Sequence, residues 1–200
     1  MRHTEKERSW YLYGVAGFRY LEYLLTMGAR EDVRDRASWM LRWVTENPTN
    51  ASATSLTVAL SHLCLAYAQL LGVQTADTRG LAEAQSQFDR ALNDLQQTER
   101  QDFVIGGWLG RAQLNRINRD FETAESDLKN AISIATRSQT RLREADCHLA
   151  YAQLLITWRG RKEASAHLSQ AKRMIQAMSY HRRDKEVVEL EATGATITSI

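Results

Sequence analysis

A chain of 200 residues with 44% hydrophobic residues has enough apolar surface for one domain or one short helical array. Its formal net charge of +2, from 26 Lys and Arg against 24 Asp and Glu, is too small to argue for a nucleic-acid or membrane-surface partner. One proline and ten glycines suit long helices, and the reading is all-α.

In chain order, residues 7 to 27 predict a helix rich in aromatics, among them Trp10, Tyr13, Phe18, Tyr20 and Tyr23. Gly28 and Ala29 mark a turn. Residues 30 to 46 predict a second helix with Val33, Ala37 and Met40 on one face. Asn47-Pro48-Thr49-Asn50 breaks it, because proline restricts the residue before it. These first 50 residues read as a divergent helical pair. Helices follow at 52 to 72 and 80 to 98, with a loop from Gly72 to Gly80. Two more pairs follow at 101 to 118 with 120 to 137, and at 141 to 158 with 161 to 178. A short helix at 184 to 192 caps the end, and the tail TGATITSI has no amphipathic partner.

Three small-large-small triplets bind these helices into a repeat. Ala84-Phe88-Ala91, Ala124-Leu128-Ala131 and Ala164-Leu168-Ala171 lie forty residues apart. Their internal spacing of four then three makes one apolar stripe on a helix. Upstream of each triplet lies an A-Q-L: Ala68-Gln69-Leu70, Ala112-Gln113-Leu114 and Ala152-Gln153-Leu154. A fixed period of this length means stacked pairs of antiparallel helices.

These motifs resemble the tetratricopeptide repeat (TPR), which has a small residue on its first helix and A-x3-F-x2-A on its second. Ala112 and Ala152 match the former; the triplets at 124 and 164 match the latter, and Trp108 falls where the family often has an aromatic. The period departs from the family's usual 34, and the family's proline after the second helix is missing. The resemblance implies a right-handed α-solenoid: a divergent pair over 1–50, three TPR-like pairs over 51–179, and a cap with its tail over 180–200. The runs EADCHLAYAQLL and YHRRDKEVVELE further resemble the C-terminal TPR region of bacterial signalling NTPases of the NACHT and NB-ARC type. That resemblance implies a cytoplasmic sensor or partner-binding arm, either part of a longer protein or free-standing.

Chemistry-bearing motifs are few. Gly106-Gly107-Trp108-Leu109-Gly110 has no Lys-Ser or Lys-Thr pair and no preceding strand, so close helix packing is the expectation rather than a phosphate loop. The five histidines make neither H-x3-H nor H-E-x2-H, and no metal or cofactor is expected. No nucleophile elbow occurs, and no enzyme is expected. Cys64 and Cys147 lie in apolar helical patterns and read as buried thiols. Basic residues from Arg137 to Arg183 are interleaved with Glu144, Asp146, Glu163 and Asp184, which predicts an ion-paired face and no nucleic acid.

The candidate binding residues follow from the TPR resemblance, in which first helices line a concave groove. Gln69, Gln113 and Gln153 would form a ladder of amides, which pair with the backbone of an extended peptide. Glu22 in LEYLL takes the equivalent place in the first pair, and Arg116 shares the face of Gln113. Leu109 and Leu149 stand where a terminal-carboxylate clamp would need lysine, so no such clamp is expected. The expected partner is a protein or peptide, with no membrane. Self-association through the aromatic first pair and a peptide-responsive regulator are the competing readings.

Overall fold

The computed structural model describes residues 14–47, 51–72 and 77–193. Among them are nine α-helices, one 3-10 turn and no strand. The helices are α1 (Gly14–Thr26), α2 (Arg30–Glu46), α3 (Ala51–Gly72), α4 (Thr78–Leu95), α5 (Gln101–Ile117), α6 (Phe121–Arg137), α7 (Arg141–Trp158), α8 (Arg161–Ala177) and α9 (Asp184–Thr193). The expectations for Trp10, Tyr13, the Pro48 break and the end of the tail fall outside the described residues.

The chain divides into two compact units, Met1–Phe103 and Val104–Ile200, with the division inside α5. Side chains of the first turn of α5 account for this. Phe103 meets Phe18 edge-on at 5.0 Å, and Asp102 accepts a bond from Arg19 at 3.2 Å, both within the first unit. In that unit α2 packs on α3, α3 on α4, and α1 on both α2 and α3. In the second unit α7 packs on α6 and α8, and α9 on α8.

The triplets are where neighbouring helices meet. Ala84, Phe88, Ala91, Ala124, Ala131 and Ala171 are fully buried, and Leu128, Ala164 and Leu168 nearly so. Val33, Ala37 and Met40 of α2 are equally buried, so the divergent pair uses the same stripe. At about 25 cal/mol per Å² of apolar surface, stripes of this kind are the main stabilising element of each unit.

The forty-residue period is two modules of equal length. Helices α5, α6, α7 and α8 start at Gln101, Phe121, Arg141 and Arg161, a constant step. Three of the turns repeat one geometry. Arg119, Gln139 and Ser179 have φ of 62°, 54° and 52°. The N–H of the next residue reaches back to Asn115, Ala135 or Ile175, each at 2.9 Å. This is the left-handed helix stop that glycine usually fills. Where α7 ends, the positive φ (100°) moves to Gly160. Helix α4 starts at Thr78, two residues ahead of the expected start, because Asp77 accepts the Gly80 N–H at 2.8 Å and caps it. Asp120 caps α6 in the same way through the Thr123 N–H.

One glycine of the run, Gly106, departs from the expectation of close helix packing. A Cβ at Gly106 would meet nothing within 4 Å, so no neighbouring element presses on that position. Close helix packing is not the reason for this glycine. The close approach in these units belongs to the alanines.

The segment after α8 is tied down as a cap. Val187 and Leu190 enter the core of the second unit. Lys172 pairs with Glu191 at 2.6 Å, and Arg183 reaches back to the buried Asp146 at 2.7 Å.

Replacing Gln139 or Ser179 by glycine removes a left-handed strain of about 1–2 kcal/mol, offset by the extra freedom of glycine in the unfolded chain. Each variant is expected to gain about 0.5–1 kcal/mol, a rise of a few degrees in thermal melts. A fall in Tm for both would show that these side chains hold the turns.

Candidate functional site

The residue just before the large member of each triplet is polar: Gln87 on α4, Asp127 on α6 and His167 on α8. In an isolated apolar stripe a polar group would be unfavourable, so each needs a partner. The structure supplies a different partner every time, always from the preceding helix. The Gln87 amide oxygen lies 2.6 Å from His62 Nδ1 of α3. Asp127 is held by Arg111 and Asn115 of α5. His167 meets His148 of α7, with the two Nδ1 atoms 2.8 Å apart. One position in the repeat thus carries an imidazole–amide pair, a buried ion pair and an imidazole pair.

The ion pair is the most constrained of the three. Asp127 is 2% exposed and Arg111 20%. Arg111 Nε and Nη2 donate to the two carboxylate oxygens at 3.0 and 2.7 Å, and Asn115 Nδ2 adds a third bond at 3.1 Å. The guanidinium also lies over the Trp108 ring at 4.6 Å. Trp108 therefore supports Arg111.

A groove opens in the first unit between α2, α3 and α4. Its volume is about 240 Å³, and Arg34, Leu65, Gln69, Glu83, Ser86, Gln87 and Arg90 line it. Arg34 pairs with Glu31, and Glu83 is engaged by Arg79 and by Gln69. Arg90 makes no ion pair among the described residues.

In the second unit Tyr151, His148, His167 and Glu125 form a polar cluster. The Tyr151 ring stacks on His167 with centroids 4.1 Å apart and planes 4° apart. Its hydroxyl donates to Glu125 of α6 at 2.8 Å. Glu125 also accepts from Lys129 at 3.0 Å and lies 3.8 Å from Arg159. The Lys129 bond holds the Glu125 carboxyl below its ordinary range against the opposing effect of burial. Burial lowers both imidazoles; Glu144 opposes this at His148, while His148 adds to it at His167. Burial and the bond to Glu125 push the Tyr151 phenol up.

The sequence-predicted site residues divide between the units. Glu22 and Gln69 lie in the first, Gln113, Arg116 and Gln153 in the second. Gln69 lines the groove, but the other walls come from α2 and α4, the second helices of their pairs, and Gln69 donates to Glu83 of α4 at 3.4 Å. Glu22 is half-buried and paired with Arg19. Gln113 is exposed and Gln153 half-buried, and neither amide has a hydrogen-bond partner among the described residues. Arg116 is half-buried with no carboxylate partner among them, and burial lowers its pKa. Gln87, Arg90 and the residues around His167 were missed. The signal for them was present as a polar residue recurring at one place within the apolar triplet.

Both thiols are free and buried, and burial pushes each up, keeping it protonated. Among the described residues no group of three or more His, Cys, Asp or Glu could hold a metal ion. One helix segment, Thr54–Gly72, is long and apolar enough to cross a bilayer, and 56% of it is buried within the protein. In the sequence its Thr, Ser, His and Gln residues interrupt the apolar run. Comparison with known proteins returns no significant match to a family profile, a curated protein or a solved structure.

Asp127→Ala removes both carboxylate bonds from the largely buried Arg111 guanidinium. It is expected to cost about 3–5 kcal/mol, measured by urea denaturation. Arg111→Ala should cost a comparable amount, and the double variant less than the sum of the two. Additive losses would show that the pair is not coupled.

Proposed function

We propose that the chain is a non-enzymatic, TPR-like binding module that takes up an extended protein segment. The groove lined by Gln69 and Arg90 carries this reading. At about 240 Å³ it is smaller than small-molecule sites, which run to about 300–1,000 Å³. It suits side chains of a segment lying across it better than an enclosed metabolite. Its chemistry favours an acidic segment. Leu65 offers an apolar contact, the Gln69 and Gln87 amides can meet a peptide backbone, and Arg90 brings a positive charge with no ion-pair partner among the described residues.

A right-handed solenoid arrangement of the helical pairs, a cytoplasmic location, and a role as the sensor arm of a bacterial signalling NTPase belong to the same proposal. They rest on the TPR-like motifs. Gln113 and Gln153 offer further contacts within the second unit, since their amides have no partner among the described residues. Self-association is a second reading. Tyr20 and Tyr23 of α1 and Met27 just after it are 38%, 57% and 67% exposed, an apolar cluster of the kind that interfaces cover. Concentration-dependent size in sedimentation would favour it.

Binding is tested with an array of extended peptides graded in acidic content, followed by fluorescence anisotropy. Acidic peptides should bind saturably, and Arg90→Ala should weaken them about tenfold, as expected for one charge-assisted contact. Absence of saturable binding across the array would overturn the reading. Unchanged affinity in the Arg90 variant would remove the groove from it. Replacing Gln113 and Gln153 together by alanine should weaken peptide binding to the second unit while helix content by circular dichroism stays constant. Unchanged affinity would remove these amides from the surface.

A further inference from the structure

We propose that His148 and His167 form a pH-sensitive latch that holds the last helix pair, α7 and α8, closed. The two Nδ1 atoms, 2.8 Å apart, cannot both carry a proton and remain in contact. With both rings neutral, one Nδ1–H donates to the lone pair of the other. A first added proton goes to an outer Nε2 and leaves this bond in place. A second must occupy the accepting Nδ1. It removes the lone pair and sets two cations against each other. The bond between α7 and α8 then breaks.

The surroundings make the latch consequential for the second unit. His167 is stacked on Tyr151, and the Tyr151 hydroxyl is held by Glu125, so the same side chains join α8 to α7 and α7 to α6. The charged groups acting on the pair are Glu125 from α6 and Glu144 from α7, and Glu125 is itself engaged by Lys129 of α6 and by Arg159 just after α7. Lys129 and Arg159 are both engaged with Glu125, which limits how far that carboxylate can compensate an imidazolium. The other two pairs carry no second histidine at this place. Gln87 meets a single imidazole, and Asp127 meets a guanidinium that stays charged across this range. Among the three contacts at this position, the pairing of two imidazoles occurs in the last pair.

In the unfolded chain both imidazoles titrate near about 6.5. The folded pair resists protonation, so its stabilising contribution is complete above that pH and is lost as the pH falls below it. By pH 5.5 the folded-to-unfolded ratio of the second unit should drop about tenfold if the folded pair withholds one proton, and about a hundredfold if it withholds both.

The test is amide hydrogen exchange in α8 of the full chain at pH 7.5 and 5.5, corrected for intrinsic exchange rates, in the natural protein and in His167→Gln. Glutamine is the residue the chain itself carries at the corresponding position 87. The natural protein should lose protection in α8 by about tenfold or more, and the variant by markedly less. Equal losses in both would overturn the proposal. Should the variant fail to fold, the natural protein is titrated by NMR of its imidazole resonances. Two separated steps, the second well below about 6.5, support the latch, and two independent titrations at the ordinary value overturn it.

Discussion

An alanine side chain ends at Cβ, so two helices meeting at alanines can approach more closely than helices meeting at leucines. That approach is the constraint from which the rest of each unit follows. Ala84, Ala91, Ala124, Ala131 and Ala171 are fully buried, and a larger residue between each pair fills the space that closeness leaves. The stripe fixes which face of each helix turns inward. It also fixes the neighbour of the position just before Phe88, Leu128 and Leu168. A polar side chain there is carried to the edge of the core whether or not water can reach it.

The three solutions at that position differ in what they allow. His62 with Gln87 is an imidazole–amide hydrogen bond in the first unit. Arg111 with Asp127 is a bidentate ion pair with its cation resting on Trp108, and its strength depends on both partners being present. His148 with His167 is the version whose state depends on protons. The backbone repeats while the chemistry at its one polar position does not. The repeat sets the scaffold, and individual pairs acquire properties of their own. The groove by Gln69 and Arg90 reflects the same independence, because its charge comes from residues on the outer faces of α2 and α4.

The period itself has a physical origin in the turns. The TPR-like motifs recur at forty residues because helices of 17 or 18 residues alternate with short stops. The left-handed conformation at Arg119, Gln139 and Ser179 ends each helix at the same phase of the stripe. A stop displaced by one residue would rotate the next helix by about 100° and carry its alanines off the contact face. The shift of the left-handed residue to Gly160 shows the stop moving by one, with the start of α8 at Arg161 retained.

The helices were legible in the sequence because a spacing of four and three is local information, and so were the inward-facing triplets, the burial of both cysteines and the short cap after α8. The early start of α4 was obscured because Asp77 lies in a stretch read as loop, and its cap involves one side chain and one N–H. The purpose of Gly106 was misread because a glycine's surroundings come from other elements. The candidate site was legible only as a set of polar positions. Sequence placed Gln69, Gln113 and Gln153 on helix faces, but which helix each meets depends on how the elements pack. Asp127 finding Arg111, His148 finding His167, and Gln69 turning toward Glu83 were decided by tertiary structure alone. Periodicity along one helix determines what lies inward, whereas a hydrogen bond between helices depends on register, rotation and rotamer of both, and the spacing of one chain segment contains none of these.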